Sequence, residues 1–503
     1  MRRYKNLLFL AGSICMQLCN LLHAQTNSGA LIAGDFADPS IIKAKDAYYA
    51  TGTSSEWAPH FPIYTSKDLQ NWKLTGYVFD KAPEWTTGSF WAPEYYFYNN
   101  TYYVYYTARR KSDRVSCIGV ATSQYPDKGF KDHGVIVSYG KEAIDGFVYN
   151  DSGQLYMTFK AYGLDDRPIE ILGCRLSADG LTTGGEVFSL LKDNNRMGME
   201  GQSILKKDGY YYLFYSAGSC CGNGCSYNVR VARSKHFKGP YEDYSRNPIL
   251  QTNEVWKCPG HGTFVEQQDG KQVYIHHAYN KESNVFTGRE GMLAELVWSC
   301  DNGWPSLVSR QNRHSSGSNM QTSFTEKKIA GHWQWDFRHA TPVISQENGR
   351  LSLSGTIKEG NSAGIALTVR PVSRLFEIIT TVENRNAALK GLVFYGDANA
   401  AIGIGTVNDN IEYWMVRDNK RTVLATQKIS GSGTVQLKLA IKPGPACEVF
   451  YKYKGTAWQQ IAPEIKPGIG FLPQWDRSPR PGLHFKGSPN EQAVFSGFEL
   501  INR

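Results

Sequence analysis

One short pattern recurs along the first part of this 503-residue chain and constrains what it can fold into. In each copy a polar residue with a small neighbour stands about ten residues before a tyrosine-rich segment. Four copies carry an acid, Asp38, Glu94, Asp145 and Glu200, and a fifth carries His261. Repeats spaced about 50–60 residues apart are typical of radial folds in which every repeat is a four-stranded blade. We therefore predict an all-β chain that begins with a five-bladed β-propeller.

The propeller geometry predicts which of these residues meet. The inner strand of each blade runs past the central axis, so equivalent positions face one shared funnel. We expect Asp38, Asp145 and Glu200 to gather there, and we rank Glu94 below them because it follows a proline and precedes a very aromatic strand. Neighbouring carboxylates raise one another's pKa, and such costly clusters are usually functional. A single acid of this kind more often caps a turn or pairs with a lysine.

The start of the chain has the features of a secretory signal peptide. Arg2, Arg3 and Lys5 precede a short apolar run, and the segment ends at Ala24. The run is too short for a membrane span, which needs about 20 apolar residues, and no later stretch is long enough. We predict cleavage after Ala24 and export; lipidation at Cys19 is the alternative, although small residues do not precede it.

Charge and composition favour a carbohydrate partner. The formal net charge of +9 falls to +6 without the three basic residues of the leading segment, and no lysine or arginine block remains. Nucleic acid is therefore a poor candidate partner. The chain contains 30 tyrosines and 12 tryptophans, side chains that stack on the flat faces of sugar rings. We expect a monomer that binds a saccharide.

Eight cysteines remain after the predicted cleavage. An exported protein can form disulfides, but the pairing cannot be read from the sequence. The closely spaced Cys220, Cys221 and Cys225 also suggest a metal site, a weak reading without histidines nearby. The eight are Cys117, Cys174, Cys220, Cys221, Cys225, Cys258, Cys300 and Cys447.

The length favours two domains, and the pattern breaks where a second one would begin. After residue 305 the blade pattern gives way to a polar stretch, and from Phe324 apolar strand-length runs alternate with turn residues. We predict a C-terminal β-sandwich. The predicted division is a signal peptide at 1–24, the propeller at 25–308, a linker at 309–323 and the sandwich at 324–503.

Four more residues are candidates for the site. Phe36 and Trp91 are predicted to bind substrate. Trp91 would form the bottom of a sugar-binding site or pack between blades. Arg289 is also predicted to bind in the site and could hold a carboxylate through two contacts, although isolated arginines are usually surface charges. His261 would hold a water or an ion on the axis, or form a hydrogen bond within the core.

Facing acids in a sugar-sized pocket suit glycoside hydrolysis without an essential metal. One carboxylic acid gives its proton to the leaving oxygen, and a carboxylate activates water or attacks the sugar. A third acid near the donor raises the pKa of that donor and keeps it protonated.

The ordered motifs resemble glycoside hydrolase family 43, whose members are five-bladed propellers. The similar segments are Ala37-Asp38-Pro39-Ser40, Ala143-Ile144-Asp145-Gly146, Met199-Glu200-Gly201-Gln202, Pro259-Gly260-His261-Gly262 and Gly288-Arg289-Glu290. The resemblance implies an inverting mechanism with Asp38 as general base, Glu200 as general acid and Asp145 tuning and orienting the acid. It also implies a calcium ion or a water beside His261. Residues from Trp333 onward resemble the concanavalin-like sandwich of the xylosidase and arabinofuranosidase branch.

The family acts on α-L-arabinofuranosides, β-D-xylosides and, in a few members, galactans. The appended sandwich favours exo-action, and Ser219-Cys220-Cys221 resembles a loop of arabinan-cleaving members, which favours arabinose. An endo-arabinanase and a galactan-active enzyme are the alternatives within the family. Retaining invertase-type enzymes lack support because their Arg-Asp-Pro triplet is missing. A non-catalytic sugar-binding propeller would have lost an axial acid.

Overall fold

The computed structural model describes residues 29–300, 302–310, 319–429 and 433–503. The described chain is all-β, as predicted, and the helical element within these ranges is the single 3-10 turn Asn284–Phe286. This part of the chain contains no helix with the length and hydropathy to span a membrane. The predicted signal peptide lies outside the described residues.

The first part of the chain forms five antiparallel sheets from consecutive segments. Sheet 1 contains Ser40–Ala44, Ala47–Thr51, His60–Ser66 and Lys73–Phe79. Sheet 2 contains Thr86–Tyr98, Thr101–Arg110, Ser116–Ser123 and Lys131–Val137. Sheet 3 contains Ala143–Asp151, Gln154–Ala161, Ile169–Leu176 and Thr183–Asp193. Sheet 4 contains Met199–Lys207, Tyr210–Ala217, Asn228–Ser234 and Glu242–Asp243.

Sheet 5 joins the two ends of this region. Its strands are Trp256–Glu266, Gln272–Asn280, Arg289–Trp298, Pro305–Ser309 and the early strand Ile32–Asp35. Ile32–Asp35 pairs with Arg289–Trp298, so the beginning of the region closes its last sheet. The first strands of the five sheets contact one another in the cyclic order 1, 2, 3, 4, 5 and back to 1.

Buried apolar side chains fill the spaces between neighbouring sheets. Between sheets 2 and 3, for example, Val120 packs in one cluster with Met157, and both are 0% exposed. The tyrosine-rich segments form the second strand of each of sheets 1 to 5. The acids stand on or just before the first strands of their sheets.

The C-terminal part forms two further sheets. The eight-stranded sheet contains Met320–Thr322, Ala340–Glu347, Arg350–Ile357, Phe376–Glu383, Thr434–Lys442, Ala446–Lys452, Gln459–Gln460 and Ala493–Asn502. The six-stranded sheet contains Ile365–Thr368, Leu389–Asp397, Ala400–Val407, Asn410–Arg417, Lys420–Lys428 and Arg480–Lys486. One apolar cluster joins their inner faces, with Ile378 and Leu437 from the first sheet and Leu392 and Ile404 from the second.

The N-terminal and C-terminal parts of the chain are joined by a strand pair and by side-chain contacts. Trp335–Asp336 pairs as a short strand with Trp57–Ala58, which lies between the second and third strands of sheet 1. Arg480 lies over the Trp57 ring at 4.2 Å from its centroid. Met320–Thr322, within the segment predicted as a linker, instead belongs to the eight-stranded sheet.

Candidate active site

A left-handed backbone conformation recurs in each of sheets 1 to 5, on or just before the first strand. Asp38, Ala92, Asp145, Gly201 and His261 have φ angles of 49°, 45°, 59°, 61° and 44°. In sheets 2 to 5 these residues lie in register irregularities of the first strand, as β-bulges do. Left-handed φ strains a non-glycine residue, and bulges beside active sites redirect side chains. These five positions are equivalent, so the expected shared register of Glu94 and Glu200 was wrong.

Each of these backbone N–H groups donates to a side chain of a neighbouring strand, which holds the bulge in place. The acceptors are His277 Nδ1 for Asp38 at 3.0 Å, Thr53 Oγ1 for Ala92 at 2.8 Å, Thr107 Oγ1 for Asp145 at 3.1 Å, Asp145 Oδ2 for Gly201 at 3.0 Å and Ser216 Oγ for His261 at 2.7 Å. Gly201 is required here, since a Cβ would lie 2.7 Å from the His261 ring.

Asp38 is buried and held by several donors. Arg289 Nη1 lies 3.0 Å from its Oδ1 and 3.3 Å from its Oδ2, and the Thr53 hydroxyl donates to Oδ2 at 2.7 Å. Burial alone would raise the pKa of Asp38, but the Arg289 guanidinium, with His277 and His261, outweighs burial and holds that pKa well below its ordinary value. Asp38 is therefore a carboxylate at every working pH.

His277 supports this carboxylate as a neutral ring. Burial lowers the pKa of His277 to about 4, so the imidazole is uncharged near neutrality. Its Nδ1 faces both the Asp38 backbone N–H, at 3.0 Å, and the Asp38 Oδ1, at 3.2 Å. Tyr227 stacks on His277 with ring centroids 5.7 Å apart and connects this side of the site to Glu200.

Glu200 is paired with a lysine. Lys160 Nζ lies 2.8 Å from Glu200 Oε2, and the Tyr227 hydroxyl donates to Oε1 at 2.9 Å. Burial opposes ionisation of Glu200, but Lys160, His261 and Tyr227 overcome it and lower its pKa. In this arrangement Glu200 is ionised, whereas the sequence argument expected a donor with a raised pKa.

Asp145 is the acid of this group whose pKa is raised. Burial is the largest effect and raises the pKa of Asp145 to about 6; His261 opposes this and Glu200 adds to it. His261 Nδ1 lies 3.6 Å from Asp38 Oδ1 and 3.8 Å from Asp145 Oδ2, so one ring nitrogen faces two of the acids. The charge of Glu200 thus favours the protonated form of Asp145.

The rim of the site receives side chains from both parts of the chain. Trp91 Nε1 donates to Asp476 Oδ2 at 3.0 Å, and Arg289 Nη2 donates to the Asp476 carbonyl at 3.0 Å. Trp475 is 60% exposed and meets Trp91 edge-on at 6.4 Å. The C-terminal loop that carries Trp475 and Asp476 therefore reaches the residue that holds Asp38.

Phe36 has a different position from the one expected. Its side chain is 0% exposed and packs edge-on against Tyr64 at 5.2 Å. A Cβ on Gly52 would lie 3.1 Å from the Phe36 ring. In this conformation the ring has no exposed surface to offer a sugar, because it fills the core beneath the Asp38 segment.

The closely spaced cysteines form disulfides. Cys220 pairs with Cys221, and Cys225 pairs with Cys258 on the first strand of sheet 5. A Cβ on Gly222 would lie 3.8 Å from Trp475 Cδ1, so this loop borders the same rim. The four thiols are thus unavailable as metal ligands.

Sequence reasoning missed several residues of the site. Lys160, Tyr227 and His277 lie on or next to second and third strands, and Trp475 and Asp476 belong to the other half of the chain. Two of them had a signal: Lys160 is the single charged residue of its strand, and His277 ends the fifth tyrosine-rich segment.

A calcium ion beside His261 stays a prediction. Among the described residues, no group of three or more His, Cys, Asp and Glu side chains is arranged to hold a metal ion. Calcium prefers six to eight oxygen ligands, and the Asp38 oxygens already accept from Arg289 and Thr53. The side chains alone therefore do not supply a calcium cage.

The family model of the glycosyl hydrolases family 43 matches residues 29–305. The chain belongs to this family. Residues 321–469 match the β-xylosidase C-terminal concanavalin A-like domain. This family 43 protein is accordingly a glycoside hydrolase.

Named relatives of this family 43 enzyme act on more than one glycoside. An extracellular exo-α-(1→5)-L-arabinofuranosidase of Cellvibrio japonicus is 29% identical over 55% of this chain and 87% of its own length. An extracellular endo-α-(1→5)-L-arabinanase of Bacillus subtilis is 27% identical over 54% of this chain and 86% of its own. The solved xylan β-1,4-xylosidase of Bacillus halodurans superposes with a TM-score of 0.81 over 94% of this chain and 99% of its own at 20% identity, which establishes a shared fold.

Proposed function

We propose that this protein is an exported, exo-acting, inverting glycoside hydrolase that releases α-L-arabinofuranose from plant polysaccharide side chains or oligosaccharides. Release of β-D-xylose is the second candidate. The arabinan-active relatives, at 29% and 27% identity, favour arabinose. The match of residues 321–469 to the β-xylosidase C-terminal domain keeps xylose in consideration.

We propose that sheets 1 to 5 are the blades of a five-bladed propeller spanning 25–308, followed by a connection that leads into a sandwich beginning with the strand Met320–Thr322. The cyclic contacts of the five first strands support this arrangement. Export from a signal peptide at 1–24 is consistent with relatives that are named extracellular. The enzyme is proposed to act as a monomer on saccharides.

In the proposed mechanism Asp38 is the general base. An ionised carboxylate with a strongly lowered pKa remains ready to accept a proton from water across the whole working range. Glu200 is the general acid and gives a proton to the leaving oxygen, while Asp145 tunes the pKa of the acid and orients it through the Gly201 N–H. Water attacks the sugar carbon from the side of Asp38, and the anomeric configuration inverts.

One observation supports exo-action. Asp476 of the C-terminal part bonds both Trp91 and Arg289, and Arg289 bonds Asp38. The C-terminal part of the chain therefore borders the site, and a single residue, Arg289, connects it to the proposed base Asp38. A C-terminal loop in this position favours binding of a chain end over binding of a chain middle.

A substrate screen tests the proposal. The enzyme is incubated with an aryl α-L-arabinofuranoside, an aryl β-D-xyloside and linear arabinan, and products are separated by chromatography. We expect fastest cleavage of the arabinofuranoside and arabinose as the only early product from arabinan. Internal oligosaccharides would support the endo-acting alternative, and proton NMR of the first product checks inversion.

A further inference from the structure

Sheet 3 departs from the other sheets at one inner position. The residue opposite the one before the bulge is Thr107 in sheet 2, Ser216 in sheet 4 and His277 in sheet 5. Each of these short side chains accepts the N–H of the next bulge. In sheet 3 the same position, opposite Ile144, is Lys160. Lysine has no acceptor, so its ammonium serves another purpose.

Lys160 lies between two buried carboxylates and is much closer to one of them than to the other. Its Nζ is 2.8 Å from Glu200 Oε2 and 3.9 Å from Glu142 Oε1. The Glu142 side chain is 9% exposed, and its Oε1 has no hydrogen-bond partner. A buried carboxylate oxygen without a donor is costly, so Glu142 is a ready second acceptor for the ammonium.

The local backbone leaves room for this contact. A Cβ on Gly163 would lie 2.1 Å from Glu142 Oε1 and 3.1 Å from Lys160 Nζ, so a side chain there would fill the space between them. A movement of about 1 Å by a flexible lysine stem is enough to turn the longer contact into a hydrogen bond.

We propose that Lys160 is a two-position residue: its ammonium pairs with Glu200 in the free enzyme and moves to Glu142 when substrate binds, releasing Glu200 to hold the proton it donates. This inference rests on the proposed function, in which Glu200 is the general acid. Lys160 acts through Glu200 and is a positioning residue.

The charged groups around the pair determine where the proton lies. Glu200 faces Lys160, Tyr227 and His261, and it interacts with Asp145. With Lys160 on Glu200, Asp145 is the carboxyl of the two with the raised pKa, and Glu200 is the one with the lowered pKa. With Lys160 on Glu142, Glu200 keeps the repulsion of Asp145 without a contacting cation, so its pKa rises. Glu200 then binds a proton and gives it to the leaving oxygen.

Substrate makes the second position favourable. A protonated Glu200 donates its O–H to the glycosidic oxygen, a contact that is missing in the free enzyme. The substrate therefore binds the arrangement with a neutral Glu200 better, and this difference in affinity shifts the equilibrium. Without substrate, the ion pair at 2.8 Å is the more stable arrangement.

The test compares pH profiles, because kcat/KM reports the free enzyme and kcat reports the complex. The substrates are two aryl glycosides of the sugar preferred in the screen, one with a poor and one with a dinitrophenyl leaving group. The basic limb of each profile is the fall in activity at high pH. For the substrate with the poor leaving group, this fall in the wild-type enzyme should occur about 1–3 pH units higher in the kcat profile than in the kcat/KM profile. In Lys160→Met both limbs should coincide at the higher pH.

Two further variants complete the design. In Glu142→Gln the ammonium has no second anion, so both limbs should coincide at the lower pH and kcat should fall. Lys141→Met is the matched control; its side chain is 64% exposed and pairs with Asp165, and it should behave as wild type. The dinitrophenyl substrate needs no proton, so all variants should cleave it at nearly the wild-type kcat.

Coincident limbs in the wild-type enzyme, or an unchanged basic limb of kcat/KM in Lys160→Met, would overturn the inference. Equal losses on both substrates would do the same, since they indicate a purely structural lysine. Lys160→Gln replaces the methionine variant if that protein does not fold, as judged by circular dichroism. Full activity of Glu200→Gln on both substrates would instead reject the proposed function.

Discussion

The two sides of the site, around Asp38 and around Glu200, each pair a carboxylate with a cation in different ways. Arg289 contacts both Asp38 oxygens with one nitrogen and is fixed by the Asp476 carbonyl through the other. Lys160 contacts Glu200 through a single ammonium beside a second, unpartnered carboxylate oxygen. An arginine fork is rigid, whereas a lysine is a point charge on a flexible stem. The contacts of the proposed base Asp38 keep it ionised, whereas the contacts of the proposed acid Glu200 allow its protonation state to change.

The sharpest test of this comparison is to neutralise each acid in turn. Asp38→Asn should lower kcat by about 10²–10⁴-fold on aryl glycosides with either leaving group, because water activation is needed for both. Glu200→Gln should lose a similar factor on the poor leaving group but little on dinitrophenyl glycosides. Steady-state kinetics with both substrates measure the difference. Equal losses for both substrates in Glu200→Gln would remove its role as acid.

The sequence located the acids but not their environment. Asp38, Asp145, His261 and Arg289 were found because motifs keep them in order along the chain, and the structure brings them together with Glu200. A β-bulge leaves no clear mark in a sequence, which is why the register of Glu94 and Glu200 was assigned wrongly.

The partners that set the charges were harder to predict. Lys160 and Tyr227 reach Glu200 from other strands, so their roles depend on the three-dimensional register. Asp476 approaches Arg289 from 187 residues further along the chain. Such contacts follow from how the two parts of the chain pack, and no local pattern encodes them.

A second test concerns the cation of the base. Arg289 is 3% exposed, so Arg289→Met leaves Asp38 buried without its main counter-charge. Burial would then raise the pKa of Asp38, and the acidic limb of kcat/KM should move to higher pH; in the wild type it lies far below the ordinary aspartate value. Arg289→Lys keeps the charge but not both contacts, and we expect about a tenfold to hundredfold loss in kcat/KM with a smaller shift of the limb.

Arg417→Lys, with a side chain 61% exposed, is the control for the arginine substitution itself. Removing one partner of a buried ion pair costs about 3–5 kcal/mol, so thermal unfolding must accompany the kinetics. A folded Arg289→Met enzyme with an unchanged acidic limb would show that Arg289 does not set the charge of Asp38.

The smallest expected effect lies on the rim, where the C-terminal part contributes to the side of the base. Trp475→Ala removes an exposed ring that meets Trp91, while Asp476 and its contacts with Arg289 remain. Aromatic contacts contribute about 0.5–1.5 kcal/mol, so KM should rise roughly twofold to twelvefold with little change in kcat. Trp458→Ala, in the same domain but stacked on Lys438 and Lys452, is the matched control. A large fall in kcat without a rise in KM would mean that Trp475 affects catalysis at Asp38 through Asp476. The rim and the base would then depend on each other.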